Sequence, residues 1–432
     1  MATGYTSSAS TVSTLAQLSE KTNTDVKTAI KVVTEESSWF RSYPREQITV
    51  SGLENRVPLV LTQPIHPAMI PDGGYERIMS TPAPTSGTFT MTQMNVRYGY
   101  TGLAQALSNR ARAAMIEEQT AYQAMMAGYS IGRGVGTQTY GQSSGTVAVV
   151  KTTGGASATQ VIPLKNAYGA STFVAGGDVG VQDTFISNLF RVGDHIALIR
   201  ASAIVEFGAV TAAPSASSGV GYIDVTFTSS ITPTVGDLVV FANADIDSTI
   251  AGTDVNNWMI GFTEILTAAS VLGVATSNYA AWAPGSTSTA SQRYSYAVKE
   301  KLINDCKNAS GMKVNRFIIG QGVVRDAVSG QLGSRRYEGS DVDLEGSLKP
   351  GDGEKNFTSQ LALPNTVIAW YDQAIRKVEL SDLPEDGSSS KSIFKLDKVQ
   401  NKSAIAAAYD YFAQKVPSSR AATGYATNLT SA

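Results

Sequence analysis

The sequence predicts an α+β chain in which a long two-stranded excursion leads into a long helix, and a β-rich block interrupts a mixed remainder. Three observations predict this class. Residues 46–100 are rich in Gly, Pro and Thr, residues 101–130 carry a helical repeat of apolar side chains, and residues 137–250 hold short apolar runs between turn signals. A long hairpin mounted on a stiff helix suits contact with a neighbouring copy better than it suits a closed pocket.

Composition limits the class of protein. The 432 residues include 34 basic and 36 acidic side chains, a formal charge of -2, so the whole molecule lacks the basic footprint of a protein that binds nucleic acid or anionic membrane tightly. Charged residues make up 16% of the chain, below the roughly 25% that is usual in soluble domains. We therefore expect partners to cover much of the surface. The single cysteine, Cys306, excludes intrachain disulfides and multi-cysteine metal sites.

The first 45 residues predict an N-terminal arm. They begin with a Ser- and Thr-rich stretch, and a short helix is predicted over residues 25–36. The start of the chain lacks the basic residues and apolar core of a secretory signal, and no stretch offers about 18 apolar residues without polar interruption. We therefore expect synthesis in a cytoplasm and no membrane association.

Strands are predicted at both ends of the excursion. Residues 57–61 have the branched composition of a strand, and residues 88–98 return as a second strand with Phe89 and Met91 on one face. Between the two strands, residues 63–84 contain five prolines and an Asp-Gly-Gly turn. This composition excludes a helix and favours an extended loop.

The long helix is predicted to begin near Thr101, a plausible N-cap, and to end at Gly128 and Gly132. Its apolar positions recur three, four or seven residues apart, as expected for one helix face. They are Leu103, Leu107, Ala111, Met115, Tyr122, Met126 and Tyr129.

The β-rich block contains an internal echo. Residues 191–199 and 234–241 each place a Val-Gly-Asp turn before an apolar strand. Further strands are predicted over 146–150, 203–210 and 222–227. Several short strands close together indicate a small barrel or sandwich, which we interpret as an insertion over residues 137–250.

The remainder mixes helices and strands and ends, from Pro417, in a small and polar tail. A surface loop is predicted over 333–357. The predicted helices are 258–272, 291–309 and 323–332, and the predicted strands are 314–319, 366–370, 376–380 and 393–396. Residues 404–412 are predicted to form a well-packed final element.

The sequence offers little that resembles a catalytic site. Two histidines, His66 and His195, are few for an enzyme of this length, and no zinc-ligand spacing is present. Two Gly-x-Ser-x-Gly matches are centred on Ser130 and Ser143, but Ser130 follows a helix where a nucleophile elbow follows a strand. Gly132-Arg133-Gly134 is interpreted as a helix terminus and not as a phosphate loop. We therefore predict no enzyme activity, catalytic residue, metal or cofactor.

The order of these parts resembles that of the major capsid proteins of tailed bacteriophages, with the Hong Kong 97-type fold. The resemblance rests on an arm, a long hairpin loop, a long helix and a mixed α/β remainder. It implies the following parts: an N-arm (1–45), an E-loop (46–100), a P-domain spine helix (101–136), a β-rich insertion domain (137–250), a region that is mainly A-domain (251–365), and P-domain strands with a C-terminal tail (366–432).

The resemblance also implies a function and partners. A protein of this family builds the icosahedral head shell of the virion from pentamers and hexamers and encloses double-stranded DNA, with weak nonspecific contact to the DNA. A separate scaffolding protein, a portal and a decoration protein are the further partners that it implies. One departure is informative. The chain has no lysine between Lys31 and Lys151, so the E-loop lysine that forms an isopeptide cross-link in some members is missing.

The excursion supplies the residues that we predict to contact a neighbouring copy. Apolar side chains would be buried between copies, and charged ones would set register and partner choice. These residues are Glu54, Arg56, Val57, Leu59, Leu61, Ile70, Asp72, Glu76, Arg77, Phe89, Met91 and Arg97.

Two other classes of protein remain open at this point. A tail-tube, sheath or surface-layer protein shares the Gly-, Thr- and Ser-rich β character, although it has no evident need for the long helix. A serine hydrolase that uses Ser130 or Ser143 is the enzyme alternative.

Overall fold

The computed structural model describes residues 12–13, 54–59, 61, 86–101, 130, 132–167, 179–242, 258–289, 292–326, 354–359, 361–379, 393–398 and 404–429. The helices are α1 (132–140), α2 (Val179–Ser187), α3 (Phe262–Thr267), α4 (Tyr296–Ser310) and α5 (321–326). The strands are β1 (Val12–Ser13), β2 (Glu54–Pro58), β3 (Ser86–Thr90), β4 (Thr92–Thr101), β5 (Thr146–Val150), β6 (Ser157–Asn166), β7 (His195–Arg200), β8 (Ala203–Val210), β9 (Ser215–Ser217), β10 (Val220–Ile231), β11 (Leu238–Phe241), β12 (Ser270–Val271), β13 (Val274–Ala275), β14 (Ser286–Thr289), β15 (Arg316–Gly320), β16 (Lys355–Ser359), β17 (Val367–Trp370), β18 (Ile375–Glu379), β19 (Ile393–Lys398), β20 (Ala404–Pro417) and β21 (Thr423–Thr427).

Several predictions fall outside these residues. They concern the helix over 25–36, the proline-rich loop, the apolar stripe of the long helix and most of the surface loop over 333–357. None of the described helices is long and apolar enough to cross a membrane.

The first sheet is organised around the 14-residue strand β20. β4 pairs with it antiparallel from Thr101 opposite Ala404 to Thr92 opposite Ala413. β18 and β19 also pair with β20, and β1 lies parallel to β4. Because its partners come from distant parts of the sequence, this sheet ties the two ends of the chain together.

The second sheet has the order β14-β21-β17-β15-β16. β15, β17 and β21 are buried along their whole length, which is typical of strands covered on both faces. The apolar side of α4, with Val298, Leu302 and Cys306, packs in the cluster that covers it. As predicted, α4 stops before Gly311, which has φ 74° and donates its N–H to the carbonyl of Lys307.

The prediction of a small, polar tail after Pro417 is wrong. β21 is a fully buried strand within the second sheet. Small residues are required there because the sheet lies close to α4: a methyl group on Gly424 would lie 2.9 Å from Cys306 Sγ. The same small side chains that made the segment look like a tail allow this close packing.

The third sheet closes on itself. Each of β5, β6, β7, β8, β10 and β11 pairs antiparallel with two of the others, which forms a six-stranded barrel. β9 pairs with the first three residues of β10. α2 packs on β6 and β10. The strands predicted over 146–150 and 203–210 are confirmed to the residue. β6 and α2 were missed, since neither has a periodicity that stands out from its Ser- and Thr-rich surroundings.

Two predicted helix boundaries are wrong. Gly132 does not end a helix, because residues 132–140 are helical and Gly132-Arg133-Gly134 lies inside α1. Glycine is tolerated there because α1 is held by packing, with Val135 and Tyr140 buried. The helix predicted over 258–272 is shorter: α3 spans only Phe262–Thr267, and the β12–β13 hairpin follows.

Candidate assembly site at the root of the β2–β3 hairpin

The root of the excursion is an antiparallel pair of strands. β2 and β3 pair from Glu54 opposite Thr90 to Pro58 opposite Ser86. The two ends of the segment between β2 and β3 therefore lie next to each other. β2 begins and ends earlier than the strand predicted over 57–61. The pairing ends at Pro58 because proline has no backbone N–H to donate to a neighbouring strand.

The chain turns from one sheet to another at Met91. The prediction of one continuous strand with Phe89 and Met91 on the same face is wrong, because β3 pairs with β2 while β4 pairs with β20. Phe89 and Thr92 are buried and Met91 is half-buried. The alternation of faces therefore breaks at Met91, and this break separates the hairpin from the first sheet.

Burial divides the residues that were predicted to contact a neighbouring copy. Val57, Leu61 and Phe89 are 3%, 7% and 4% exposed and belong to the main core of the chain itself. Their apolar surface therefore packs within one copy of the chain, and their contact with a neighbouring copy stays a prediction. Sequence alone could not show this, because an apolar strand face has the same pattern whether its own core or a neighbouring copy covers it.

The remaining predicted contact residues have other positions. Arg56 is exposed on β2, and Leu59 and Met91 are half-buried. Glu54 and Arg97 lie in β2 and β4. Ile70, Asp72, Glu76 and Arg77 lie outside the described residues.

The hairpin root is seated on the β12–β13 turn. The N–H of Thr88 donates to the carbonyl of Leu272 over 3.0 Å. Leu272 and Gly273 both have positive φ, 54° and 76°, as a tight two-residue hairpin requires. Gly87 faces this turn so closely that a methyl group on it would lie 2.7 Å from Leu272 Cβ. The excursion is thus anchored by backbone contact as well as by its buried side chains.

We expect Gly87→Ala to weaken this seat. The added methyl group meets Leu272 Cβ, which is fixed by a strained turn, so the root must move away at a cost of about 1–3 kcal/mol. Gly155→Ala is the matched control, because no heavy atom lies within 4 Å of a methyl group there. Urea unfolding of the two variants measures the difference, and equal stabilities would contradict the proposed contact.

A cavity of about 260 Å³ lies beside the root. One side is formed by residues 57–59 of the excursion. The other side is formed by Met312, Tyr371, Gln373, Ala374, Arg376, Ser418 and Ser419. The lining is mostly apolar. The Nε of Arg376, which also lines the cavity, donates a 3.4 Å hydrogen bond to the carbonyl of Gln373.

The residues considered for catalysis do not converge on a reactive site. His195 is half-buried at the start of β7, and Ser143 lies in the turn between α1 and β5, where its N–H donates to Glu264. Ser143 therefore follows a helix and precedes a strand, the reverse of a nucleophile elbow. Ser130 is exposed and helical. In the described part of the chain, no group of three or more His, Cys, Asp or Glu residues is placed to hold a metal ion.

Two buried basic side chains, Lys415 and Arg420, were not predicted from the sequence. Lys415 and Arg420 are both 0% exposed. Lys415 donates to the carbonyl of Thr139 at the end of α1 over 2.9 Å, and Arg420 donates to the carbonyls of Ile265 and Ala268 at the end of α3 over 2.6 and 2.9 Å. Each side chain thus donates to carbonyls at a helix C-terminus that the helix itself leaves without a partner.

The burial of these cations changes their acidity. Burial lowers the pKa of Lys415 well below its ordinary value, against the opposing effect of Glu264. Burial likewise lowers the pKa of Arg420 to about 10, again opposed by Glu264. No sequence signal marks either residue, because a lysine in an alternating strand is as easily placed on a solvent-facing side.

Comparison with solved structures finds capsids. The chain is similar to a chain of the satellite phage P4 procapsid including the size determination (Sid) protein, with 8% identity over 96% of this chain and 95% of that chain and a TM-score of 0.42. It is similar to a chain of the cyanophage A-1(L) capsid asymmetric unit, with 8% identity over 91% and 93% of the two chains and a TM-score of 0.49. For the capsid of the native GTA particle the identity is 11%, the coverage 91% and 90%, and the TM-score 0.43.

Searches by sequence add no relative. No family model matches the chain, and no curated protein matches it.

Proposed function

We propose that the chain is the major capsid protein of a tailed phage, with the Hong Kong 97-type fold. It self-assembles through pentamers and hexamers into an icosahedral shell around double-stranded DNA. The observation that carries the proposal is the hairpin root, where β2 and β3, the strands on either side of residues 59–85, pair with each other and are fixed in the core. A rigid root gives a long excursion a defined direction, and a defined direction is what a contact between copies needs.

The arrangement of the sheets supports the proposed division of the chain. The six-stranded barrel lies within residues 146–241 and corresponds to the proposed insertion domain over 137–250. β4 and β20 pair across the first sheet, which joins the end of the proposed E-loop (46–100) to the C-terminal P-domain strands (366–432). α1 extends past residue 136, so the proposed spine helix continues into the segment that we assign to the insertion.

The proposed contacts are numerous and individually weak. Each excursion lies on the adjacent copy, and Leu59, Met91 and the cavity beside the root supply apolar surface worth about 25 cal/mol per Å² buried. Arg56, exposed on β2, sets partner choice more than affinity. Head-to-tail contacts of this kind close into rings when the rotation between copies allows it.

The proposed partners follow from the shell. A scaffolding protein, a portal and a decoration protein would act with it, and the near-neutral charge of -2 suits an inner wall that must hold DNA loosely. The protein is then located in the virion capsid after assembly in the host cytoplasm.

Deleting Pro64–Thr85 tests the proposal. We expect the full chain to form closed shells, visible in negative-stain images and as a fast-sedimenting species, whereas the truncated chain remains as monomers or small rings. The deletion spares β2 and β3, so the root can still form.

The matched control changes a loop of the barrel that takes no part in the hairpin root. Replacing Ala212-Ala213-Pro214 between β8 and β9 with Gly-Ser-Gly is expected to leave the shells intact. Regular closed shells from the truncated chain would overturn the proposed role of the excursion. Tubes or flat lattices from the full chain would replace the capsid proposal with a tail or surface-layer protein.

A further inference from the structure

The barrel consists of two equivalent halves. β7, β8 and β10 form one half, and β11, β5 and β6 form the other. β7 corresponds to β11, β8 to β5 and β10 to β6. Val225 opposite Val210, in the first half, corresponds to Leu164 opposite Val150 in the second. The chain order hides this repeat, because β11 comes after all the other barrel strands while its equivalent, β7, comes before β8 and β10.

The pairing between the halves has the symmetry that an approximate two-fold axis requires. In the β10–β6 pairing, a two-fold rotation carries the pair Tyr222–Pro163 onto the pair Asp224–Val161. The pair Ile223–Ile162 lies between them and therefore on the axis. The same axis relates β7 to β11, which pair antiparallel. The Val-Gly-Asp turns that precede β7 and β11 therefore lie at opposite ends of the barrel.

The two turns share one backbone-to-carboxylate hydrogen bond. The carboxylate of Asp194 accepts from the N–H of Arg191 over 2.7 Å, and the carboxylate of Asp237 accepts from the N–H of Thr234 over 2.8 Å. The glycines have φ 90° at Gly193 and 93° at Gly236, a conformation that favours glycine. Each turn thus places one aspartate carboxylate at the same point of its half.

The arginine that completes each turn comes from a different place. Asp237 is held by Arg200 of the barrel itself, with Nε–Oδ1 and Nη2–Oδ2 distances of 2.7 Å each. Asn243 lies as far after Asp237 as Arg200 lies after Asp194, and an asparagine cannot supply this ion pair. Asp194 is held instead by Arg133 of α1, over 2.9 and 2.8 Å.

Arg133 makes further contacts with the barrel domain. Its Nη2 also donates to the carbonyl of Leu189, after α2. Its guanidinium lies 5.8 Å from the centre of the Phe241 ring, at the end of β11. The side chains of Arg133 and Asp194 are 22% and 19% exposed, so the pair is partly shielded from solvent. A two-pronged guanidinium–carboxylate contact fixes orientation as well as distance.

We propose that Arg133 fixes the orientation of the barrel on the rest of the protein and so acts as a latch. Arg133 of α1 binds Asp194 in one turn, and Arg200 of the barrel binds Asp237 in the equivalent turn. The body end of the latch is firm, because α1 is tied to β20 through Lys415 and Thr139. The inference does not depend on the proposed function, since it concerns one copy of the chain.

A distance measurement by pulsed electron paramagnetic resonance tests the latch. Nitroxide labels on Thr228→Cys in β10 and Lys301→Cys in α4 report barrel and body, since both positions are exposed. Cys306 is buried, and its burial together with Asp305 raises the pKa of its thiol to about 12. It therefore stays unlabelled. The labelled full-length chain is diluted with unlabelled chain, so that distances within one copy dominate.

Arg133→Gln and Arg200→Gln form the matched pair of variants. We expect Arg133→Gln to widen the distance distribution about twofold or more. Arg133→Lys is expected to give an intermediate width, because lysine keeps the charge but cannot make the two parallel hydrogen bonds of a guanidinium. Arg200→Gln is expected to keep the width of the parent chain, while amide exchange over residues 234–238 becomes faster.

Two results would overturn the proposal. One is a distribution for Arg133→Gln as narrow as that of the parent chain. The other is a broadening by Arg200→Gln equal to that by Arg133→Gln, since this would assign the effect to general loosening of the barrel. Should Arg133→Gln fail to fold, the width for Arg133→Lys decides in the same way.

Discussion

Gly261→Ala is expected to remove about 3 kcal/mol or more of the free energy of unfolding. A methyl group on Gly261 would lie 1.8 Å from the carbonyl oxygen of Gly141 and 2.9 Å from that of Gln138. Both obstacles are backbone atoms at the end of α1, so no side-chain rotation relieves the clash. Gly261 is also the N-cap of α3, and the shift would therefore separate two helices that hold the core together.

Gly134→Ala is the matched control for this prediction. A methyl group there meets only Met94 Sδ at 3.5 Å, an ordinary contact with a flexible side chain. Since alanine favours a helix over glycine by about 0.5–1 kcal/mol, this variant is expected to be slightly more stable than the parent chain. Urea unfolding measures both changes. A loss below about 1 kcal/mol for Gly261→Ala would show that α1 and α3 are not in backbone contact.

Lys415→Met is expected to change how stability depends on pH. Lys415 has 0% exposed surface, one hydrogen bond to Thr139 and a position 4.1 Å from the centre of the Phe262 ring. Burial lowers its pKa well below 10.5, although Glu264 opposes the effect. Below pH 10.5 the unfolded chain therefore binds a proton at Lys415 more readily than the folded chain does. Stability from this group rises with pH, by up to about 1.4 kcal/mol per pH unit, until the unfolded lysine is neutral.

The methionine variant lacks this slope. We expect its stability relative to the parent chain to decrease as the pH rises toward 10.5. Loss of the Thr139 hydrogen bond adds a constant that does not depend on pH, so the slope is the informative quantity. Lys301→Met, at an exposed position of α4, controls for the removal of one charge. Parallel pH profiles for the parent chain and Lys415→Met would show that Lys415 is not held in a low-polarity site.

Prediction from sequence succeeded where the local pattern and the tertiary role agree. The strands over 146–150 and 203–210 alternate or cluster apolar residues between clear turns, and Gly311 is a helix stop that needs no outside partner. It failed where packing outweighed the local preference. Gly132 sits inside α1, and the small residues after Pro417 form a buried strand.

The candidate assembly site was predicted only in part. Sequence located the two strands at the ends of the proline-rich segment, because branched residues mark them. It assigned Val57, Leu61 and Phe89 to a neighbouring copy, whereas they are buried in the core of their own chain. The apolar pattern of a strand states that a face is covered, and it does not state which surface covers it.

The sequence by itself determined the β-rich character of the block with two Val-Gly-Asp turns and the type of several elements in the mixed remainder. The arm, the excursion and the long helix stay predictions. Only the tertiary structure decided which of these parts meet. The barrel closes by pairing β6 with β10, and Asp194 finds its arginine on α1. The physical reason is that turns and periodicity depend on neighbours along the chain, while strand partners and ion pairs depend on residues that are distant in sequence and adjacent only after folding.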